Sequence, residues 1–548
     1  MEGSAESFLI VCWSVTPKVF VSQPTFPSPK ELSQTKLIFQ NVSLNYLVTG
    51  TELLIGVFML PFNVAMLGQS AYGLWVLVAS ITVYFSMLDM GFGVAQVKFV
   101  AKYRARGDIG GLNEIASTMF CVFSVVGLLT FLVAVVIALN FQNFFPLTAS
   151  QVRTGQIVFL FISGYVALGF PVSVFGGIVN GFQRTYLNGA VAFVTAIAVA
   201  LVNVAVLMAG YGLPELVAAT TTVRILSYVA YALNAYRVFP ALRIRPHLFS
   251  RDRLREIAGF SIFILIIDLA NKLNYSTDTI VIGAFMGTAA VAVWAVAQRL
   301  IEIVQRITDQ LNGVLFPVVV DSSTVERVDK LQKVLIQGMR LSLAMVVPLA
   351  TVLGLTARPL VLVWVGPNFE ASVNVIYILC IVVALRVGNA TSTVILKGSG
   401  LHKVLAVSNL CMAVGNLLLS VLLVRWYGLI GVAIGTLIPM VVFSTFVVFP
   451  AACRRVELSK WSVVRESVWP SVWPALVMGG FILSTRAYTV GSWSLLILQA
   501  SLAAVIYGAL FLGFAISRNE RDWYFNKVKE VFTRRSVPST AANELSVP

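Results

Sequence analysis

The 548-residue chain has little of what a metal centre or a nucleotide hydrolase requires. Histidine occurs twice, at His247 and His402, and the five cysteines, Cys12, Cys121, Cys380, Cys411 and Cys453, are scattered without metal-type spacing. No metal site and no cofactor is expected from them; the cysteines read as small apolar packing residues. No GxxxxGK[ST] run occurs, so the chain encodes no phosphate loop of that type, and energy for any work must come from a gradient, a partner or the substrate. The piece SFLIVCWSV near the N-terminus has no basic region before it and no cleavage site after it, and it reads as part of a tail rather than a signal peptide. Charged residues are only 11% of the chain.

What is present is apolar length. Hydrophobic residues make up 58% of the chain and the mean hydropathy is +0.87. Apolar runs of this kind read as membrane-spanning helices of about 20 residues. Fourteen are expected, at roughly 44–66, 73–97, 112–139, 156–179, 187–210, 214–237, 256–284, 289–318, 332–356, 371–396, 403–424, 428–451, 466–488 and 492–516. The fold class is thus an all-α polytopic membrane protein. Between these helices the outward loops are short, the longest near 140–155 and 357–370, which leaves little room for a folded catalytic site outside the membrane.

The net charge of +15 suggests nucleic acid at first sight, but its placement argues for a membrane instead. Lys98, Lys102, Arg104 and Arg106 share one loop, Arg237, Arg243, Arg245, Arg251, Arg253 and Arg255 another, and Arg454, Arg455, Lys460 and Arg465 a third. All fall in even-numbered loops, so the positive-inside bias puts those loops and both termini in the cytoplasm, as for a multi-pass protein of the cytoplasmic (inner) membrane. DWYFNKVKEVFTRR, after Arg518, has the pattern of an amphipathic helix on an anionic leaflet.

A repeat lies under the hydrophobicity. AMLGQSAYGLWVLVA at Ala65 to Ala79 reappears as AFMGTAAVAVWAVAQ at Ala284 to Gln298, pairing Gly68 with Gly287 and Trp75 with Trp294, about 219 residues apart. Later landmarks, NGFQ with KGSG and YGLPELVAAT with YGLIGVAIGT, keep nearly the same offset. Two six-helix repeats entering the membrane in the same direction are expected to form two lobes around a central cavity, the architecture of transporters that rock one half against the other. The expected division is a tail at 1–40, an N-lobe at 41–240, a basic linker at 241–255, a C-lobe at 256–455, a trailing helix pair at 456–517 and a basic tail at 518–548. The glycines read as turn residues and the tryptophans as packing or interfacial residues.

Candidate functional residues are the ionisable ones inside the membrane, where each charge costs ~2.5–3.5 kcal/mol on insertion scales. Asp268, Asn271, Tyr275 and Asp278 fall on one stripe of the seventh helix, with Lys272 beside it; Arg299, Glu302, Arg306 and Asp309 repeat that spacing on the eighth. Arg224 lies about 16 Å into the sixth helix, near the midplane, and Arg386 slightly deeper on the tenth. Glu52 is midway along the first, and Asp89 and Arg340 lie toward inner ends. If these converge, Arg224, Lys272, Arg299, Arg306 and Arg386 make a cationic cavity suited to an anionic cargo such as a diphosphate, which the guanidinium fork matches. Glu52, Asp268, Asp278 and Glu302 are candidates for cavity lining or for H⁺ or Na⁺ coupling. The competing reading is structural: Asp268 with Lys272, and Glu302 with Arg299 or Arg306, neutralise one another, while Arg306, Asp309 and Arg340 snorkel to headgroups.

The run from Tyr72 to Asp108, with YGLW, then LDMGFG at Leu88 to Gly93 and VAKYRARGD at Val100 to Asp108, resembles the polysaccharide-transporter branch of the multidrug/oligosaccharidyl-lipid/polysaccharide exporter superfamily, the O-antigen-type flippases. DTIVIGAFMGTAAVAVWAVAQRL from Asp278 and VWVGPNF from Val363 are similar to its second-half signatures. The resemblance implies two lobes with a cavity opening alternately to each side. It also implies transport rather than catalysis, the cargo being a polyprenyl-diphosphate-linked oligosaccharide moved between leaflets for O-antigen, capsule or exopolysaccharide assembly. Membrane lipids, a polysaccharide polymerase and chain-length machinery are its implied partners. The trailing helices are similar to those of lipid II flippases, where a groove for the lipid tail lies near them. A lipid II flippase or a cation-coupled multidrug antiporter of the same superfamily is the alternative. A membrane-embedded glycan ligase or polymerase needs an outward acid/base pair, and Glu370 is one of few acidic residues there.

Overall fold

The structure, a computed structural model, describes residues 34–89, 92–257, 277–324, 328–488, 492–516 and 521. Among the described residues the regular elements are helices, and twelve stretches are long and apolar enough to cross a membrane. The longer helices of the first half are α1 Gln34–Leu67, α2 Gln69–Phe85, α3 Phe92–Ala105, α4 Ile109–Leu139, α5 Ala149–Gly181, α6 Thr185–Met208 and α7 Leu213–Val238. Those of the second half are α8 Thr277–Met286, α9 Thr288–Thr324, α10 Val328–Trp364, α11 Ser372–Gly388, α12 Ala390–Gly398, α13 His402–Phe443, α14 Phe449–Arg455, α15 Trp469–Thr485 and α16 Trp493–Leu510. Most of the expected seventh helix, the segment before residue 34 and the basic C-terminal segment lie outside the described residues.

Helix ends follow local chemistry. Gly68 and Gly287 take the same left-handed backbone, φ 80° and 81°, where α1 passes to α2 and α8 to α9. A side chain with a Cβ is strained there, which is why glycine stands at both turns. Thr148 and Gln151 form a reciprocal cap at the start of α5, and the Asp108 carboxylate accepts from the Gly111 amide at the start of α4.

The longest apolar stretch, Lys403–Arg455, is 53 residues. A straight helix of that length would run about 80 Å, far beyond a ~30 Å hydrocarbon core. It reverses instead at Gly428, φ 57° and ψ −133°. Its arms pack antiparallel, with Ser420 Oγ 3.4 Å from the Val432 carbonyl and Pro439 against Gly415. The sequence places a break at this point.

Two expected helices differ. The second, expected at 73–97, ends at Phe85; a tight turn through Asp89 leads to the separate helix α3. The Asp89 carboxylate accepts from the Gly93 amide at 3.2 Å, so this residue, expected as an intramembrane charge, caps the start of α3. The tenth, expected at 371–396, divides at Asn389 into α11 and α12.

One core cluster binds α3, α4, α5 and α7 around Phe92, Phe123, Phe170 and Val174. A larger one runs from Leu60 and Leu77 in the first half to Trp294, Val346 and Val383 in the second, tying the halves together. The helix pair α15 and α16 leans on α10 through Met478, Ile482 and Ala503 against Val347 and Leu355. The helical turns at 251–257 are clasped to α3 and α4 by ion pairs, Lys102 to Glu256 at 2.6 Å and Arg253 to Glu114 at 3.0 Å.

Candidate functional site

A cavity of about 610 Å³ lies between the halves, walled by α1, α2, α5, α6 and α7 on one side and by Thr279 of α8 and the α9 face from Ala295 to Glu302 on the other. Its volume is in the range of small-ligand sites. At the end of the bundle marked by Gly68 and Gly287 the halves are in contact. Gln69 Nε2 donates to the Ala289 carbonyl at 3.1 Å, and a methyl group on Gly73 would run into the Thr288 carbonyl.

Helix α1 is the meeting strip. Pro61 has no N–H, so the carbonyl four residues earlier, that of Val57, loses its helical donor. The Trp364 indole N–H, from α10 in the other half, donates to it at 3.0 Å. Next to Val57, Gly56 leaves room for the guanidinium of Arg299, which lies where a Cβ would be. Arg299 donates to the Glu52 carbonyl at 3.2 Å and pairs with Glu302 at 3.2 Å, while half-exposed Arg306 pairs with the Glu52 carboxylate at 3.4 Å. The alternating charges of α9 thus face α1, where Gly56 leaves them room and Glu52 accepts from them.

Across the cavity, Arg224 lies 5.9 Å from the ring centroid of Tyr165, which stacks on Tyr228 at 5.3 Å. A cation over a ring face is held by the ring quadrupole, and the Tyr228 hydroxyl fixes the pair by donating to the Tyr165 carbonyl at 3.0 Å. Of the charged residues singled out by sequence, Arg224, Arg299 and Glu302 line the cavity, with Glu52 and Arg306 paired just beyond it. Arg386 is not among its lining residues; it donates to Gln305 Oε1 at 2.8 Å. Asp278 is buried away from it, between the arms of α13, accepting from Thr436 at 2.9 Å and from Ser420 at 3.4 Å, with Asn416 bonded to both donors. Only its neighbour Thr279 reaches the cavity. Asp268 and Lys272 lie outside the described residues. Among the described residues, no group of three or more His, Cys, Asp or Glu side chains is placed to hold a metal ion.

Sequence reasoning passed over the neutral polar lining. Asn63, Asn203, Thr220 and Thr221 all face the cavity. Trp75, expected as a packing residue, also lines it, whereas its repeat counterpart Trp294 is in the core. Uncharged amides among apolar residues stand out little in a sequence; their lack of a protein partner is visible only in the fold.

The family model described as "Polysaccharide biosynthesis protein" matches residues 38–323. A probable flippase, AglR of Haloferax volcanii, is 22% identical over 411 residues, covering 73% of this chain and 80% of that protein. Among solved structures, the lipid II flippase MurJ in an inward closed conformation superposes with a TM-score of 0.68 at 13% identity, covering 86% of this chain and 98% of the other. An inward-facing MATE family multidrug resistance transporter of the MOP superfamily gives 0.59 at 16% identity, covering 78% and 99%. At such identities the likeness is one of fold.

Proposed function

The chain belongs to the polysaccharide biosynthesis protein family, and from that premise we propose that it is a flippase. Its cargo in this reading is a polyprenyl-diphosphate-linked oligosaccharide, carried from the cytoplasmic to the outer leaflet for O-antigen, capsule or exopolysaccharide assembly. The relatives' names support transport rather than catalysis. The observation that carries the cargo class is the convergence of Arg224 from one half and Arg299 from the other on a single cavity. Paired guanidinium groups match diphosphate oxygens, and here they come from elements that must part when the halves rock.

Mechanistically, Arg299 already holds Glu302, and Arg306 holds Glu52. A diphosphate entering the cavity exchanges for the Glu302 carboxylate on Arg299 and draws that guanidinium off the Glu52 carbonyl, so that binding of cargo loosens the α1–α9 contact and biases the lobes. A ligand shifts such an equilibrium only through its differential affinity for the two arrangements, and this exchange supplies one. Asp278 with Asn416, Ser420 and Thr436 forms a buried oxygen cluster in the C-lobe, which we assign as the candidate H⁺ or Na⁺ coupling group. Lys272 and Asp268 remain part of the proposal by their depth, and Arg386 joins it only by exchanging its contact with Gln305 for the cargo. With the basic loops cytoplasmic, the Gly68 end faces outward and the cavity loads from within. The apolar groove between α10 and α15, lined by Val347, Gly354, Leu476 and Gly479, is assigned to the polyprenyl tail.

The test is a leaflet assay on the purified chain in liposomes containing fluorescent polyprenyl-diphosphate oligosaccharide. Exposure of the glycan at the far leaflet, lost in Arg224→Gln, is expected. Ion-coupled efflux of small cations with no glycan exposure would move the chain to the antiporter class.

A further inference from the structure

The cavity has two chemically distinct ends. Depth can be measured along each helix from the Gly68 end at 1.5 Å per residue. Asn63 lies about 6 Å in, Asn203 about 8 Å and Thr220 about 10 Å, whereas Arg224 and Arg299 lie about 16 Å in. The end next to the closed lobe contacts is therefore neutral and the middle is charged.

Its two asparagines are unusual. Asn63 and Asn203 are 5% and 4% exposed, and the side-chain oxygen of each is buried with no protein partner. Buried amides are almost always satisfied, because an unmet donor or acceptor costs about 1–3 kcal/mol. Asn63 and Asn203 both line the same cavity, with Thr221, Tyr72 and Trp75 beside them. Neutral amides with unpaired oxygens, hydroxyls and aromatic side chains suit a neutral polyol with apolar C–H faces.

We infer that Asn63, Asn203 and the adjoining threonines form the sugar subsite of the cavity, so that the cargo sits with its glycan toward the Gly68 end and its diphosphate at Arg224 and Arg299. This rests on the flippase reading and adds to it a subsite, a ligand class and an orientation. The glycan goes in first and the lipid-linked diphosphate trails behind it. The amides choose for hydroxyl and acetamido groups, while the arginines are indifferent to the sugar.

The experiment measures binding to the full chain in nanodiscs with two probes, bare polyprenyl diphosphate and polyprenyl diphosphate carrying one N-acetylhexosamine. The wild type is expected to bind the sugar-bearing probe more tightly. Asn63→Ala and Asn203→Ala should each weaken that probe about tenfold and leave the bare one within about twofold, a retained affinity that also shows the variants are folded. Equal weakening of both probes, weakening of neither, or a wild type indifferent to the sugar overturns the subsite. Failure of the flippase reading looks different: the wild type does not bind the bare probe, or binds it as well after Arg224→Gln.

Discussion

Trp364→Phe removes the indole N–H together with two ring carbons, and the part of its cost that belongs to the N–H is set by Pro61, a residue in the other half of the protein. In wild type the Val57 carbonyl has lost its helical donor to proline and is served by Trp364 at 3.0 Å. The substitution orphans that carbonyl. Orphaned buried acceptors cost about 1–3 kcal/mol, and interhelical hydrogen bonds in membranes average ~0.6 kcal/mol. Because this bond is only part-buried, a value of about 1 kcal/mol is expected. Pro61→Ala returns an N–H to α1, so the same Trp364→Phe change in that background should cost about 1 kcal/mol less. A double-mutant cycle on unfolding in detergent micelles measures the difference. Equal costs in the two backgrounds would refute the assignment of Trp364 as the substitute donor, whatever the absolute stabilities.

Gly56→Ala puts a methyl group where the Arg299 guanidinium now lies; the end of an arginine moves aside cheaply, and alanine favours the helix by about 1 kcal/mol. Thermal stability should hold or rise while affinity for bare polyprenyl diphosphate falls several-fold, and a variant that binds like wild type would show that the docking of Arg299 on α1 does not matter to the cargo. Glu256, outside the membrane spans, is held below its usual carboxylate range chiefly by the hydrogen bond from Lys102, with Tyr103 and Arg253 adding to it. A depressed carboxylate stabilises the fold above its unfolded pKa of about 4.3 and loses that contribution as pH falls through the folded value. The thermal stability gap between wild type and Glu256→Gln should therefore be constant from pH 7 to about pH 5 and close in more acid solution. A gap that does not change with pH would mean the ion pair contributes nothing.

How much of this was legible in the sequence depended on which physical quantity fixes each feature. Apolar length fixes helices, and twelve stretches of membrane-crossing length stand among the described residues, while Gly68 and Gly287, read as turn residues, stand at helix junctions with positive φ. Depth along a helix fixes how costly a charge is, and Arg224, Arg299 and Glu302 were singled out on that ground. Depth does not fix the direction a residue faces around the bundle. Arg386 and Asp278 lie as deep, yet one reaches Gln305 and the other turns into the α13 hairpin. Asp89 shows the converse, since a carboxylate four residues before a glycine in LDMGFG serves as a helix cap and is no cavity charge.

The asparagines mark a harder limit. An uncharged amide costs less in hydrocarbon than an ion does, so nothing in composition separates Asn63, which has no partner, from Asn113, which donates to Ala241 and accepts from Arg243. The distinction depends on what lies across the space from each side chain. Trp75 and Trp294 make the same point: they stand in similar local sequences, yet one lines the cavity wall and the other lies in the core. The cavity wall carries its neutral amides on the first half of the chain and its alternating charges on the second, and under the proposed function the two walls read different parts of the cargo.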